Sequence, residues 1–246
     1  MRNTENNAFK GNTRIYIFQA RQLPALLTSI PILLLLNYGR VFLVNNDIFH
    51  YFDFVPYLIQ TGLSVAALFL QMQLNRFVSK EFFQHTIFKG SHDLPSTRML
   101  LWSDNHFDKS TKTMIHKKIK EFYDMALPNA KAEQDDENEA RKRASSAVSQ
   151  IRNSLRYNAH LNQHNREYGF VRNLVGGSLV ASTFSCINIV LAIIMCNTLL
   201  IAISIVILGI YMLFVLFGKL LVTRFGQYYA DSLFEQFISL EPKEKK

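Results

Sequence analysis

Two cysteines in 246 residues, Cys186 and Cys196, leave no material for a disulfide framework. They stand ten positions apart in or beside one predicted helix, about 15 Å along its axis, a separation no disulfide can bridge. They read as inert apolar fillers. The chain also lacks a glycine-rich phosphate loop, a nucleophile elbow, and paired carboxylates in an apolar setting, so neither a catalytic residue nor a cofactor is expected. Charge is missing in two further places. The stretch from Asn45 to Asp53 holds two aspartates and no Lys or Arg, and the tripeptide Cys196-Asn197-Thr198 holds no charge. No acid lies inside any long apolar run, which argues against a proton-coupled transporter.

What is present is segregated. Apolar residues crowd into two blocks near the ends, whereas 17 of the 27 Lys and Arg lie between Arg76 and Arg172. A bilayer demands that segregation and a soluble core does not. Leu23 to Val44, Phe54 to Leu74, Leu174 to Met195 and Leu199 to Val222 are each about the 20 residues needed to cross a hydrocarbon core. The expected fold is therefore a mainly all-α integral membrane protein, with four transmembrane helices arranged as two hairpins around an inserted, mostly helical domain. Its parts are an N-terminal segment (1–22), hairpin one (23–74), a basic domain (75–173), hairpin two (174–222) and a C-terminal helix and tail (223–246).

The positive-inside rule puts both termini and the basic domain in the cytoplasm. The leader from Met1 to Gln22 is polar and basic and has no small-residue cleavage site, so the first span is expected to stay in the membrane. Phe42, Phe49, Tyr51, Phe52, Phe54 and Tyr57 would form an aromatic girdle at the outer interface. Two flanks, Arg14 to Arg21 and Phe225 to Leu240, mix aromatics with charge, and Phe225, Tyr229, Leu233 and Phe237 recur at helical spacing. They suit either the membrane interface or packing on the cytoplasmic domain.

Polar residues inside spans are costly and mark function or helix packing. Arg40, one turn after Asn37, reads as snorkelling to outer headgroups or pairing between helices, or else as a pore or gate residue. Asn37, Arg40, Gln60 and Ser64 are the pore and gate candidates, and Pro31 supplies a kink. Ser178, Ser182 and Ser185 share a face beside Gly177, a pattern more typical of helix packing than of a pore.

In the basic domain the second span continues as a helix through Arg76, Lys80 and Phe83 towards Lys89. Leu94 to Trp102 fits a strand or a packed loop. Ser110 to Met125 is helical, with Ile115, Ile119 and Phe122 on one face and Lys109, Lys112, His116 and Lys120 on another. A second helix, Asn138 to Asn158, would bury Ala140, Ala144, Ala147, Ile151 and Leu155 and show Lys142, Ser145, Ser149, Arg152 and Arg156. The acidic run Glu133 to Glu139 suits its N-terminus, and Asp104, Asp108 and Asp124 read as turn and cap residues. Between Arg76 and Arg172 there are 17 basic against 12 acidic residues. Such rows track a phosphate backbone, approach an anionic lipid surface, or simply face solvent. His160 and His164 have a zinc-compatible spacing but no third ligand, so no metal site is expected. Tyr168, Phe170, Arg172 and Asn173, at the entry to the third span, read as an interface anchor and coupling element.

The layout, with the stretches Leu94-Pro-Ser-Thr-Arg98 and Asn165-Arg-Glu-Tyr-Gly-Phe-Val-Arg-Asn173, resembles small bacterial membrane effectors of anti-phage defence operons. Among these it is most similar to the channel-type effectors of the Hailong system, whose partner enzyme makes single-stranded DNA oligomers that hold the channel closed. The resemblance implies a homo-oligomer, taken as a tetramer, in the bacterial inner membrane. A partner nucleotidyltransferase would make its oligonucleotide ligand. Arg98, Lys109, Lys112, Lys117, Lys120, Lys142, Arg152 and Arg156 would then meet phosphates, and Trp102, Phe107 or Tyr123 would stack bases. The competing readings are a non-channel scaffold on anionic lipid or an acidic partner, and a membrane-bound enzyme using the two histidines.

Overall fold

The computed structural model describes residues 13–44, 55–88 and 93–241, with only the helical backbone at 39–44, 55–60 and 82–85. Among the described residues every regular element is helical. In chain order the long helices are α1 (Thr13–Thr28, with a π-helical stretch at Phe18–Gln22), α2 (Ile30–Val44), α3 (Val55–Val78), α4 (Lys109–Tyr123), α5 (Glu137–Ser154), α6 (Ala159–Ile194), α7 (Thr198–Leu216) and α8 (Gly218–Ile238). A π-helix, Ser79–Gln84, extends α3, and single helical turns stand at Pro95–Arg98 and Ala130–Asp135.

The chain divides into two units, one containing Gln84–Tyr168 and the segment from Val222, the other containing Thr13–Phe83 and Gly169–Leu221. In the second, α6 (36 residues) and α7 (19 residues) are long and apolar enough to cross a membrane; α1 with Ile30–Tyr38 makes a third such element if the pair, bent by 42°, counts as one. The protein is thus a membrane protein by the composition of its helices. Cys196 takes the left-handed conformation (φ 53°) in the turn after α6, and Asn197 caps α7, its side-chain oxygen accepting from Leu200 N–H at 3.0 Å.

The predicted continuous span from Leu23 to Val44 is broken at Ser29. Pro31 is the reason, since it has no N–H for the carbonyl four residues back and its ring crowds that turn. The outer girdle residues and the loop from Asn45 to Asp53 fall outside the described residues or their side chains.

The other unit is built on a core of Met99, Leu100, Leu101, Ile115, Ile119, Leu155 and Leu161, with Ala140, Ala144, Ala147, Val148 and Ile151 from α5 and Leu233, Phe234 and Phe237 from α8. Small alanines on α5 let neighbouring elements approach closely, and aromatic side chains fill the space between them. Tyr229, Leu233 and Phe237 therefore serve this core, the second of the two expectations for the C-terminal flank. Leu94 to Trp102 forms no strand: Pro95 at the first helical position starts one turn of helix, and Met99, Leu100 and Leu101 turn inward. Asp108 caps α4, its carboxylate accepting from the N–H groups of Ser110 (3.0 Å) and Thr111 (3.3 Å). The hydroxyls of Ser110 and Thr111, which also bond it, and then those N–H groups hold its pKa well below the usual carboxylate range. Asp124 ends α4 in the left-handed conformation, φ 51°. Both acids are the turn and cap residues their sequence context indicates.

Candidate functional site

The basic helices of the first unit are positioned by their buried faces. On α5 the burial of Ala140, Ala144, Ala147 and Ile151 leaves Lys142, Ser149 and Arg152 exposed, with Ser145 half-buried, and Arg156 is exposed in the turn that follows. The Arg156 guanidinium lies over the Tyr157 ring, 4.6 Å from its centroid. At the C-terminal ends of the two helices Tyr123 Oη donates to Ser154 Oγ at 2.8 Å, which joins α4 to α5. Lys109, Lys117 and Lys120 are exposed on α4, Lys117 lying 3.9 Å from Glu121. Arg98 is exposed, 4.0 Å from Asp93.

Lys112 breaks the row expected on α4. It is buried, its ammonium donates to the carbonyls of Leu101 (2.6 Å) and Asp104, and burial lowers its pKa. A cation so placed meets no external phosphate. His116 is likewise turned inward, its Nε2 bonded to Leu100 O at 2.8 Å, and burial depresses its pKa. Glu133 is buried with them and accepts the N–H groups of Trp102 (2.7 Å) and Ser103 (2.9 Å). Lys112, His116 and Glu133 thus each bond the backbone of the loop at 100–104, pairing polar groups there. The sequence offers Glu133 only as one acid of a run; nothing in charge pattern marks it as the buried one.

The aromatic residues proposed to stack bases are committed inside the unit. Trp102 Nε1 donates to Pro128 O at 2.9 Å and its ring meets His116 edge-on at 4.8 Å. Phe107 packs edge-on against Phe234 at 5.7 Å, and Tyr123 stacks on Phe237 at 6.0 Å. Only the exposed cations of the predicted set remain presented to an external anion.

In the other unit the polar residues of the apolar helices form a bonded cluster. Gln71 Nε2 donates to Asn75 Oδ1 (2.9 Å) and Thr28 Oγ1 (3.2 Å), and Asn75 Nδ2 donates to Thr28 Oγ1 at 2.8 Å. A Cβ on Gly176 would run into Ser79 and one on Gly177 into the Asn75 amide, so glycine is what lets α6 come this close to α3. The hydroxyls of Ser178, Ser182 and Ser185 donate to carbonyls four residues back, at 2.8, 2.8 and 2.9 Å. They satisfy themselves within α6, and all three are buried. Of the pore candidates, Asn37 is exposed and Ser64 half-buried, while the side chains of Arg40 and Gln60 lie outside the described residues. Asn75 and Tyr211, which the sequence reading passes over, carry hydrogen bonds here; a buried tyrosine hydroxyl needs a partner, and that was the available signal.

The residues read as a coupling element divide between the units. Tyr168 stacks on Tyr229 at 6.4 Å in the first. Phe170 and Arg172 are half-buried in the second, where buried Asn173 donates from Nδ2 to Ala20 O at 2.5 Å. His160 and His164 meet edge-on at 4.8 Å, and among the described residues no group of three metal-ligating side chains is gathered.

No family model, curated protein or solved structure matches the chain. Fold and site define its class: among the described residues a wholly helical protein, with two helices in one unit long and apolar enough to cross a membrane, or three if the bent pair counts as one, and Lys109, Lys117, Lys120, Lys142 and Arg152 exposed on helices of the other.

Proposed function

We propose that this protein is an oligomeric inner-membrane channel or membrane-disrupting effector of anti-phage defence. An anionic ligand, a short single-stranded DNA or other oligonucleotide, gates it through the basic unit. The observation that carries this reading is the exposed cations Lys142 and Arg152 on α5 and Arg156 just beyond it, in a chain whose other unit holds two helices, or three if the bent pair counts as one, long and apolar enough to cross a membrane. Four spans in two hairpins, with both termini and the basic unit cytoplasmic, follow from the charge-free and cation-free connections. A tetramer would enclose the path, and a partner nucleotidyltransferase would supply the ligand. Gating requires the ligand to bind open and closed states with different affinity.

Binding of short single-stranded DNA to the detergent-solubilised protein across salt tests this. Log affinity is expected to fall with log salt by about 0.7 for each phosphate neutralised; a flat line overturns it. The inward commitment of Trp102 and Tyr123 favours a second reading, a scaffold whose basic unit holds anionic lipid or an acidic partner through charge alone. That reading predicts no DNA-dependent conductance in vesicles.

A further inference from the structure

Two prolines, Pro24 in α1 and Pro31 in α2, interrupt the first helical segments of the membrane unit, and Pro31 has no N–H to give Leu27 O, four residues back. A carbonyl near each proline is bonded from elsewhere. Asn173 on α6 donates from Nδ2 to Ala20 O at 2.5 Å, and Tyr211 on α7 donates from Oη to Leu27 O at 2.5 Å. Asn188 on α6 adds a bond to Pro31 O at 2.8 Å. Between the two proline sites the element breaks at Ser29 and bends by 42°. Asn173 and Tyr211 are both buried, and lipid offers no donor that could replace either of them.

We propose that Tyr211 and Asn173 are latches on a hinged first helix: they hold α1 and α2 in the bent arrangement about Ser29, and release of either lets the segment move. The bond from Tyr211 to the carbonyl that Pro31 leaves without its helical donor, at the bend itself, carries the argument. The inference rests on the membrane reading of this unit and not on the gating ligand. If the channel reading holds, this hinge is its moving part.

The test is a cycle of Tyr211→Phe and Pro31→Ala in the full-length protein in detergent, read by hydrogen exchange of the amides at 27–35. Tyr211→Phe removes only the donor. It is expected to raise exchange there by about three- to twentyfold, the range of a membrane hydrogen bond, with α3 unchanged. Pro31→Ala restores a backbone donor for Leu27 O, so adding Tyr211→Phe to it should have no further effect. If Tyr211→Phe leaves exchange as it was, or raises it equally in the Pro31→Ala background, the latch is overturned. Should Tyr211→Phe alone fail to fold, recovery of the fold in the double variant supports the proposal, and failure of both overturns it. Vesicle leak separates the two readings: restored exchange behaviour without any leak in any variant leaves the latch standing and sinks the channel.

Discussion

The ammonium of Lys112, 3% exposed, donates to the carbonyl of Leu101 at 2.6 Å and so ties α4 to the loop that follows the Pro95–Arg98 turn. Its role is structural. Lys112→Met deprives the carbonyls of Leu101 and Asp104 of this donor and should cost about 1–3 kcal/mol of stability. The salt dependence of DNA binding should stay as it was. Lys109→Gln, at an exposed position on the same helix, should stay within about 0.5 kcal/mol of the parent. Denaturant unfolding of both variants checks the contrast.

His116 makes the same loop sensitive to acid. Burial lowers its pKa first, against the opposing effects of the Leu100 hydrogen bond and the Glu133 charge. The folded-state value then lies below the unfolded value of about 6.5, so in the interval between them the unfolded chain binds more protons. Stability is retained above about pH 6.5 and falls as pH drops below it, levelling once the folded-state pKa is passed. His116→Gln should flatten that limb of a plot of unfolding free energy against pH between 7.5 and 5; an unchanged limb would assign it to other groups.

Charge reversal on α5 addresses the proposed ligand face. Lys142→Glu and Arg152→Glu alter exposed side chains of a helix held by its alanine face, and Arg156→Glu an exposed side chain in the turn after it. The fold, read by circular dichroism, should therefore persist. Affinity for single-stranded DNA should drop, and each lost phosphate contact should reduce the salt slope by about 0.7. Substitutions that spare both affinity and slope would move the binding face elsewhere.

Two glycines give opposite expectations. A Cβ at Gly177 meets the Asn75 amide, which its bonds to Thr28 and Gln71 hold in place. Gly177→Ala should therefore destabilise the membrane unit by about 1–3 kcal/mol through overpacking. At Gly62 nothing lies within 4 Å, so Gly62→Ala should be neutral or stabilise by up to about 1 kcal/mol through helix propensity. Thermal unfolding in detergent distinguishes the two.

Much of the helical framework is legible in the sequence because its signals are local. Ala140, Ala144, Ala147, Ile151 and Leu155 recur on one face, and each is buried as that spacing requires. Asp108 and Asp124 cap α4 because their short carboxylates and tolerance of unusual backbone suit helix ends. The candidate ligand set was less legible. Lys112 and Lys120 look alike from spacing, yet one is buried on Leu101 and Asp104 and the other is exposed. Which flank of an amphipathic helix becomes core depends on loops that pack there from a distance in sequence.

By itself the sequence determined that this chain is helical, that its apolar segments suit a bilayer, and that its cations are gathered between them, since periodicity, hydropathy and charge are properties of neighbouring residues. Only the tertiary structure decided which polar groups are spent inside. Pro31 announces a kink in any sequence, but that Tyr211, 184 positions from Leu27, would supply the missing hydrogen bond is a fact of packing. Unpaired polar groups are too costly to bury, so they take partners wherever folding brings them, and sequence distance plays no part in that choice.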